Sequence, residues 1–457
     1  MTLPALPRRF HTITLGCKLN RFDSAAIEAE LEGRGLRPAP SLSEADVVVV
    51  NTCTVTARAD AEARRLLRRV RRENASCRLL VTGCYAELEP GTLAAVERVD
   101  GLFGNRDKAR LPEILDRIGV PAREPASAPA GRGSDAPAGL RFGERGRAYL
   151  KVQEGCDLGC SYCVIPRARG RSRSVPADRV AEGLRGLIRA GYREVVLTGV
   201  NTGAWGRDLS PRGRLEELLR LLLDGLGPNR IRLNSLEPLT LTDGIVRLLA
   251  EDPRLAPHVQ VPLQSGSDRI LEAMGRNYRA SAYLERVEKL RAAVPDAAIG
   301  ADVIVGFPGE TDDRFEETCR FLEASPLDYL HVFAWSPRAG TPAERMPGRP
   351  RAGETKARSE RLRRFGEARS LRFRERFVGR TLDALALGDE PARGRARALT
   401  GNFIETTIEG ARPAARQPLL VRIGRIEGNT TFGSAVGVPG WAQLPDALPV
   451  AGGPPAR

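Results

Sequence analysis

The feature that most constrains this chain is a loop with three closely spaced cysteines, Cys156, Cys160 and Cys163. The C-x3-C-x2-C spacing lets one tight loop direct three sulfurs to a common point. Thiolates are soft ligands that favour iron–sulfur clusters, zinc and copper. A closed structural zinc site usually takes four protein ligands, and none of the three histidines of the chain lies near this loop. The loop therefore predicts a [4Fe–4S] cluster with one iron left open, and the alternatives are a zinc loop or three incidental cysteines.

Length and composition limit the class of protein. A chain of 457 residues predicts two to four domains, and a hydrophobic content of 42% is typical of a soluble protein. No apolar stretch is long enough for a membrane span, and residues 1–10 contain no apolar run of the kind found in secretory signals. We therefore expect a cytoplasmic protein without membrane contact, whose eight cysteines are ligands or free thiols rather than disulfides.

The formal net charge is +14, from 71 Lys and Arg against 57 Asp and Glu. Such an excess suits a polyanionic partner such as a nucleic acid. The alternative is a general compositional bias, because arginine and alanine are frequent along the whole chain.

The first third of the chain alternates between strand-like and helix-like segments. Strands are predicted at residues 10–16, 46–51 and 78–82, and helices at 21–33, 58–72 and 90–98. This βαβαβ order predicts a small parallel, Rossmann-like α/β domain over residues 8–120.

One cysteine follows each of the three predicted strands: Cys17, Cys53 and Cys84. The carboxyl ends of parallel strands share one edge of a sheet, where ligands collect. The topology therefore predicts a second three-thiolate metal site. The alternative is three buried cysteines in an α/β core, a common environment for this residue. Cys77 and Cys319 are interpreted as ordinary thiols.

A linker and a second α/β domain follow. Residues 121–141 are rich in Pro, Ala, Gly and Ser and predict a flexible linker. Six βα repeats are predicted over residues 142–370, with strands at 148–154, 194–200, 230–236, 258–264, 298–306 and 329–336. Repeated βα units favour a partial (β/α)6 barrel with parallel strands. The three-cysteine loop directly follows the first of these strands, on the face where barrel sites form.

A basic segment follows the cysteine loop and contains Arg167, Arg169, Arg171 and Arg173. On an extended segment these alternate arginines would project to one side, where they could pair with phosphates of an RNA backbone. The alternative is a solvated run of charge.

The last part of the chain contains short β-like runs separated by Gly, Asn and Pro. They predict a small β-barrel over residues 371–442, followed by a disordered tail at 443–457.

The cysteine loop, together with the sequences at residues 14–20, 51–56 and 81–84, is similar to the radical S-adenosylmethionine (SAM) methylthiotransferases. The resemblance implies that Cys156, Cys160 and Cys163 are catalytic and hold a [4Fe–4S] cluster that cleaves SAM to a 5′-deoxyadenosyl radical. It also implies that Cys17, Cys53 and Cys84 hold a second [4Fe–4S] cluster, which is tied to the inserted sulfur, and that a further SAM supplies the methyl group.

Residues 16–20 and 51–56 resemble the enzymes that act on N6-threonylcarbamoyladenosine in tRNA. This implies conversion of that nucleoside, at position 37 beside the anticodon, to its 2-methylthio derivative. The implied partners are the tRNA anticodon stem-loop, an external electron donor and a sulfur source. Two other substrates remain open, isopentenyladenosine in tRNA and an aspartate of a ribosomal protein. A non-enzymatic iron–sulfur RNA-binding or electron-carrying protein is the alternative of another class.

The resemblance also indicates residues of the SAM site, which lie at or near the ends of the barrel strands. They are Tyr162, Gly199, Asn201, Glu237, Gln264 and Asp302. Glycines at strand ends also occur simply because tight turns need them, and Tyr162 is equally explained as an aromatic filling the core. Residues 399–403 and 419–424 resemble the TRAM domain, an RNA-binding module, and the alternative there is a structural cap.

Overall fold

The computed structural model describes residues 7–122, 140–142, 146–390 and 395–444, which form three structural units. Most of the predicted linker and most of the predicted tail lie outside the described residues. Within the described part of the chain, no helix is long and apolar enough to cross a membrane.

The N-terminal unit is a five-stranded parallel sheet with strand order β2-β1-β3-β4-β5. All six residues of β3 are buried, and four of them are valines, which suit a strand between two helical layers. The strands are β1 (Arg9–Thr14), β2 (Arg37–Pro38), β3 (Val47–Thr52), β4 (Arg78–Gly83) and β5 (Gly101–Leu102). The helices are α1 (Lys18–Gly33), α2 (Ala57–Glu73), α3 (Cys84–Leu88), α4 (Pro90–Val96) and α5 (Leu111–Arg117). The predicted parallel α/β fold is confirmed, and the structure adds two short outer strands.

The central unit contains six parallel strands arranged as two three-stranded sheets, which isolated bridges from Ile231 to Leu255 and from Ser235 to Gln260 join into one curved array. The strands are β6 (Ala148–Lys151), β9 (Glu194–Thr198), β10 (Arg230–Leu233), β11 (His258–Gln260), β12 (Ala298–Val305) and β13 (Tyr329–Ala334), with a separate short pair β7 (Gln153–Glu154) and β8 (Arg173–Ser174). This open array confirms the predicted partial (β/α)6 barrel.

All but the first of the helices of the central unit pack against its strands in the largest hydrophobic core, and the first follows the cysteine loop. They are α6 (Ile165–Arg169), α7 (Ala177–Arg189), α8 (Leu215–Asp224), α9 (Asp243–Glu251), α10 (Asp268–Ala273), α11 (Ala280–Ala293), α12 (Asp312–Ala324) and α13 (Ala352–Glu375). Short 3₁₀ turns lie at Leu42–Glu44, Lys108–Arg110, Thr202–Ala204, Pro238–Thr240, Pro342–Arg345 and Gly440–Gln443.

The C-terminal unit is a closed five-stranded barrel with strand order β14-β15-β16-β18-β17. Its strands are β14 (Thr381–Glu390), β15 (Arg395–Thr400), β16 (Glu405–Glu409), β17 (Pro418–Glu427) and β18 (Thr430–Gly437). Closure leaves no unpaired sheet edge, and the predicted small β-barrel is confirmed.

The C-terminal barrel covers the amino end of the central barrel. The ring of Phe403 stacks on His258 with centroids 4.0 Å apart, and Nη1 of Arg232 donates to the carbonyl of Gly401 at 2.8 Å. Residues 399–403, which resemble the TRAM domain, therefore include an interdomain contact.

The N-terminal unit covers the opposite, carboxyl end of the central barrel. Nδ2 of Asn105 donates to the carbonyl of Ala168 at 2.8 Å, and an ion pair joins Arg338 to Asp60 at 2.5 Å. The carboxyl edges of the two parallel sheets thus meet at one interdomain cleft.

Candidate active site

The cysteine loop is held by main-chain hydrogen bonds on both sides. The backbone of Gly155 has φ +71°, and a Cβ there would lie 1.9 Å from the carbonyl oxygen of Arg171, so only glycine fits. The amide of Cys156 donates to the carbonyl of Gly170 at 3.1 Å, and that of Ser161 to the carbonyl of Met274 at 2.9 Å. The loop is therefore fixed between the basic segment and the end of α10.

The three sulfurs of this loop lie close enough to influence one another. Burial raises the pKa of Cys163 to about 12, and the neighbouring Cys160 and Cys156 also raise it. Nη1 of Arg276 donates to Sγ of Cys160 at 3.2 Å, and the same guanidinium forms an ion pair with Glu237. Glu237, one of the predicted SAM-site residues, thus orients an arginine toward a cysteine.

The second set of cysteines lies at the carboxyl edge of the N-terminal sheet. Cys17 precedes α1, Cys53 follows β3, and Cys84 begins α3. A Cβ on Gly16 would lie 2.9 Å from Sγ of Cys53, so the loop before Cys17 approaches that sulfur closely. Burial raises the pKa of Cys53 to about 12, and Cys84 and Cys17 also raise it. The structure therefore brings together three cysteines that are far apart in the sequence.

The donor sets suit cubane clusters. Each set offers three sulfurs from separate backbone positions, which is the donor set that a cluster with one exchangeable iron requires. Among the described residues, no three His, Cys, Asp or Glu side chains converge tightly enough to hold a single metal ion.

A buried ion network joins the two cysteine sets. Nη1 of Arg169 contacts Oε1 of Glu154 at 2.5 Å, and its Nη2 contacts Oδ2 of Asp23 at 3.2 Å and Oδ1 of Asn20 at 2.5 Å. Lys108 pairs with the same Asp23. The side chain of Arg169 is 1% exposed, so the prediction that it lies on an exposed RNA-binding arm is wrong.

The other arginines of the basic segment remain accessible. The predicted extended conformation is wrong for the first part, because residues 165–169 form α6. Arg167 is exposed and donates to the carbonyl of Ala339 at 2.5 Å. The side chain of Arg171 is 90% exposed, and Arg173 is exposed on β8.

Gly199 and Asn201 lie against Gln153, next to the cysteine loop. A Cβ on Gly199 would lie 3.0 Å from the carbonyl oxygen of Gln153, and the amide of Asn201 donates to Oε1 of Gln153 at 2.8 Å. Oδ1 of Asn201 is buried and has no hydrogen-bond partner within the part of the chain that the structure describes. A buried unpaired acceptor is costly, so this atom suits a donor group of a bound ligand.

Gln264 lies beyond the end of β11 and pairs with Asp302, which lies within the neighbouring strand β12. Gln264 has φ +69°, an uncommon conformation for this residue, and its amide donates to the carbonyl of Asp302 at 2.7 Å. Oδ1 of Asp302 accepts from Nε2 of Gln260 at 2.8 Å and lies 3.3 Å from Nδ1 of His331.

Tyr162 packs in a small hydrophobic cluster. Its ring lies edge-on to Phe307 with centroids 6.3 Å apart, and Ile270 and Met274 belong to the same cluster. These contacts favour the alternative that Tyr162 fills the core, over the prediction that it binds the cofactor.

Sequence reasoning did not identify Lys18 as a site residue. Its Nζ contacts Oδ1 of Asn234, just beyond β10, at 2.5 Å. The side-chain amino group of Lys18, at the start of α1, therefore reaches from the N-terminal unit to the mouth of the central barrel. Its position directly after Cys17 could have indicated this role, because a residue next to a predicted metal ligand lies at the same edge of the sheet as that ligand. Arg276 was also missed and carries no comparable signal.

Two family models match the chain in the expected order. The one described as "Uncharacterized protein family UPF0004" matches residues 9–104, and the one described as "Radical SAM superfamily" matches residues 150–322. The second match contains the three-cysteine loop and most of the central barrel.

Curated relatives extend over most of the chain. The threonylcarbamoyladenosine tRNA methylthiotransferase MtaB of Thermotoga maritima is 36% identical over 82% of this chain and 85% of its own length. The chain belongs to the radical SAM methylthiotransferase family. The Bacillus subtilis protein of the same name is 33% identical over 91% of this chain and 93% of its own length. A tRNA-2-methylthio-N(6)-dimethylallyladenosine synthase of Thermus thermophilus is 33% identical over 98% of this chain and 96% of its own length.

A solved structure supports the fold of this methylthiotransferase. The radical SAM methyltransferase TsrM of Kitasatospora setae, with cobalamin and a [4Fe–4S] cluster bound, superposes with a TM-score of 0.55. The match covers 74% of this chain and 77% of that chain at 16% sequence identity, so it shows the fold alone. As a member of its family, the methylthiotransferase is an enzyme that uses SAM and two [4Fe–4S] clusters.

Proposed function

We propose that this methylthiotransferase converts N6-threonylcarbamoyladenosine at position 37 of tRNA, beside the anticodon, to its 2-methylthio derivative. The observation that carries the proposal is the meeting of two three-cysteine sets at one interdomain cleft, with Arg169 between them. The C2–H bond of adenine is unactivated, so cofactors must supply the hard chemistry while the protein binds and orients the base.

Cys156, Cys160 and Cys163 would hold the cluster that binds SAM. With a cluster bound there, the site would supply the electron that cleaves SAM. Arg276 donates to the sulfur of Cys160 at 3.2 Å and so fixes the position of this ligand. Asn201 offers a buried acceptor that is unpaired among the described residues, and Gly199 leaves room for Gln153, which accepts from the amide of Asn201 and holds it in place.

Cys17, Cys53 and Cys84 would hold the second cluster, which is associated with the inserted sulfur. Nδ2 of Asn105 lies 3.5 Å from Sγ of Cys84 and donates to the carbonyl of Ala168 in the central unit. Asn105 therefore fixes this cysteine relative to the barrel. An external electron donor and a sulfur source are further proposed partners.

The proposed tRNA surface includes Arg167, Arg171 and Arg173, which are exposed beside the cleft. Guanidinium groups bind phosphates well, and the formal charge of +14 supports a polyanionic partner. We also propose that the C-terminal barrel is a TRAM-like RNA-binding module that uses a face other than its contact with the central barrel. The proposed location is the cytoplasm.

A second substrate is supported by the relatives named for dimethylallyladenosine, which match the chain over a similar length. Mass spectrometry of tRNA nucleosides from a strain that lacks this gene separates the two substrates. We expect loss of 2-methylthio-threonylcarbamoyladenosine. Persistence of that nucleoside in a strain without a second such enzyme, or loss of the dimethylallyl product instead, contradicts the proposal.

Iron and sulfide content of anaerobically purified protein tests the two cluster sites. We expect about eight irons in the wild type and about four in a variant with Cys17, Cys53 and Cys84 replaced by Ala. An equal iron content in the two proteins contradicts the second site. If the reduced, reconstituted wild type released no 5′-deoxyadenosine from SAM, a non-enzymatic role would be supported instead.

A further inference from the structure

Lys18 is a cation in the interdomain cleft whose hydrogen bond goes to a neutral group. It begins α1 directly after Cys17 and is half-buried. Its Nζ contacts Oδ1 of Asn234 at 2.5 Å, and Nδ2 of the same amide reaches Oγ1 of Thr198 at 3.5 Å. The amide thus places its oxygen toward Lys18, at the carboxyl ends of two barrel strands.

Neighbouring cations are paired with carboxylates. Arg169 pairs with Glu154 and Asp23, Lys108 pairs with Asp23, and Arg276 pairs with Glu237. For Lys18, no carboxylate lies within ion-pair distance among the residues that the structure describes. A charge withdrawn from water without a counter-ion is costly, so a cation left in this state suits an anionic ligand.

Asp302 does not fill this role. Its charge is near enough to act on Lys18 electrostatically, but its Oδ1 is engaged by Gln260 at 2.8 Å and lies 3.3 Å from His331. Gln260 and His331 lie on the strands that flank β12, so they hold this oxygen within the barrel. Among the described residues, no ion pair joins Asp302 to Lys18.

The two candidate substrates differ in one relevant chemical respect. The threonylcarbamoyl group carries a carboxylate at neutral pH, whereas the dimethylallyl group is an uncharged hydrocarbon. Both groups hang from N6, and the ring carbons C6 and C2 flank the same ring nitrogen. A group on N6 must therefore lie in the same cleft as the reacting C2 position, beside the cysteine set that includes Cys17.

We propose that Lys18 binds the carboxylate of the threonylcarbamoyl group and so determines that this adenosine, rather than one with an apolar N6 substituent, is accepted. The inference rests on the proposed function and adds the residue that selects the substrate. Lys18 acts by binding a part of the substrate that does not react.

The experiment compares two anticodon stem-loops with the variants Lys18→Gln and Lys18→Arg. One stem-loop carries threonylcarbamoyladenosine, and the other carries the same group with its carboxylate converted to a carboxamide. The ratio of kcat/KM for the two stem-loops is measured on one reconstituted preparation, so incomplete cluster loading cancels. The ratio of their dissociation constants, measured by fluorescence anisotropy, provides a readout that does not need turnover. Lys289→Gln, on the outer helix α11, is the matched control.

We expect the wild type and Lys289→Gln to prefer the carboxylate by about 10- to 100-fold, as a charged hydrogen bond warrants. In Lys18→Gln the preference should fall below about threefold, while Lys18→Arg, which keeps the charge, should retain most of it. A preference that is unchanged in Lys18→Gln overturns the role of Lys18 and leaves the proposed function standing. A wild type that modifies the dimethylallyladenosine stem-loop but neither of these two overturns the proposed function itself.

Discussion

Arg169 and Arg171 lie two residues apart in the basic segment, yet the structure assigns them opposite roles. The side chain of Arg169 is 1% exposed and that of Arg171 is 90% exposed. We predict that Arg169→Met destabilises the contact between the N-terminal unit and the barrel, whereas Arg171→Met weakens tRNA binding without affecting stability.

The free-energy cost of Arg169→Met follows from the contacts of the Arg169 side chain. Its guanidinium bonds Glu154, Asp23 and Asn20, and removing one member of a buried ion network typically costs about 3–5 kcal/mol. Lys151 still pairs with Glu154, and Lys108 still pairs with Asp23. We therefore expect the lower end of that range, about 3 kcal/mol. The exposed ion pair of Arg171 with Asp157 should contribute less than about 1 kcal/mol.

Urea denaturation of the cluster-free proteins tests the predicted loss of stability in Arg169→Met. A loss of about 3 kcal/mol should lower the urea midpoint by about 1 M, and Arg171→Met should match the wild type. The salt dependence of stem-loop binding tests the predicted role of Arg171 in tRNA binding. If Arg171→Met loses one phosphate contact, the slope of log K against log salt should fall in magnitude by about one. The reasoning is refuted if Arg169→Met unfolds at the wild-type midpoint, or if Arg169→Met reduces the salt slope while Arg171→Met does not.

Three further predictions concern stability, measured by urea denaturation. Burial raises the pKa of Glu28 to about 7. Glu28→Gln should therefore stabilise the protein by about 1–2 kcal/mol at about pH 8, and should give no gain below about pH 4, where the wild-type carboxyl is already neutral. The control Glu62→Gln, at an exposed position, should not change the stability at either pH. Burial alone would raise the pKa of Glu194, but Arg232 and Arg230 lower it well below its ordinary value, so Glu194→Gln should cost about 3 kcal/mol at neutral pH. That cost should shrink as the pH falls below about 4, because the unfolded wild-type chain then binds a proton at Glu194, whereas the folded protein holds the pKa of this carboxyl much lower. Gly155→Ala should lower the stability by at least about 1 kcal/mol, because its Cβ would clash with the carbonyl of Arg171. Gly186→Ala, in α7 with open space around the position, should instead raise the stability by about 0.5 kcal/mol.

Local patterns predicted the architecture because each repeating element carries its own signal. The valine run of β3 and the alternation of strands and helices indicated a parallel α/β fold, and six βα repeats indicated the barrel. The convergence of Cys17, Cys53 and Cys84 was also predictable, since the carboxyl ends of parallel strands share an edge. Tertiary packing decided the environment of Tyr162, whose aromatic partner Phe307 lies far along the chain.

The basic segment shows where local reasoning fails. Alternating arginines suggested an extended arm, but residues 165–169 form a helical turn and Arg169 enters a network with Asp23, 146 residues earlier. Burial of a guanidinium depends on carboxylates supplied by another unit, and the local sequence does not contain them.

The sequence by itself determined the cysteine loop, the parallel sheets and the small C-terminal barrel, because short-range spacing and hydrophobic periodicity control these features. Only the tertiary structure decided which charges lie between the units. The docking of the N-terminal sheet on the barrel buries Arg169 and brings Lys18 to Asn234, 216 residues away. Such contacts arise from the packing of whole surfaces, for which no single stretch of sequence carries the information.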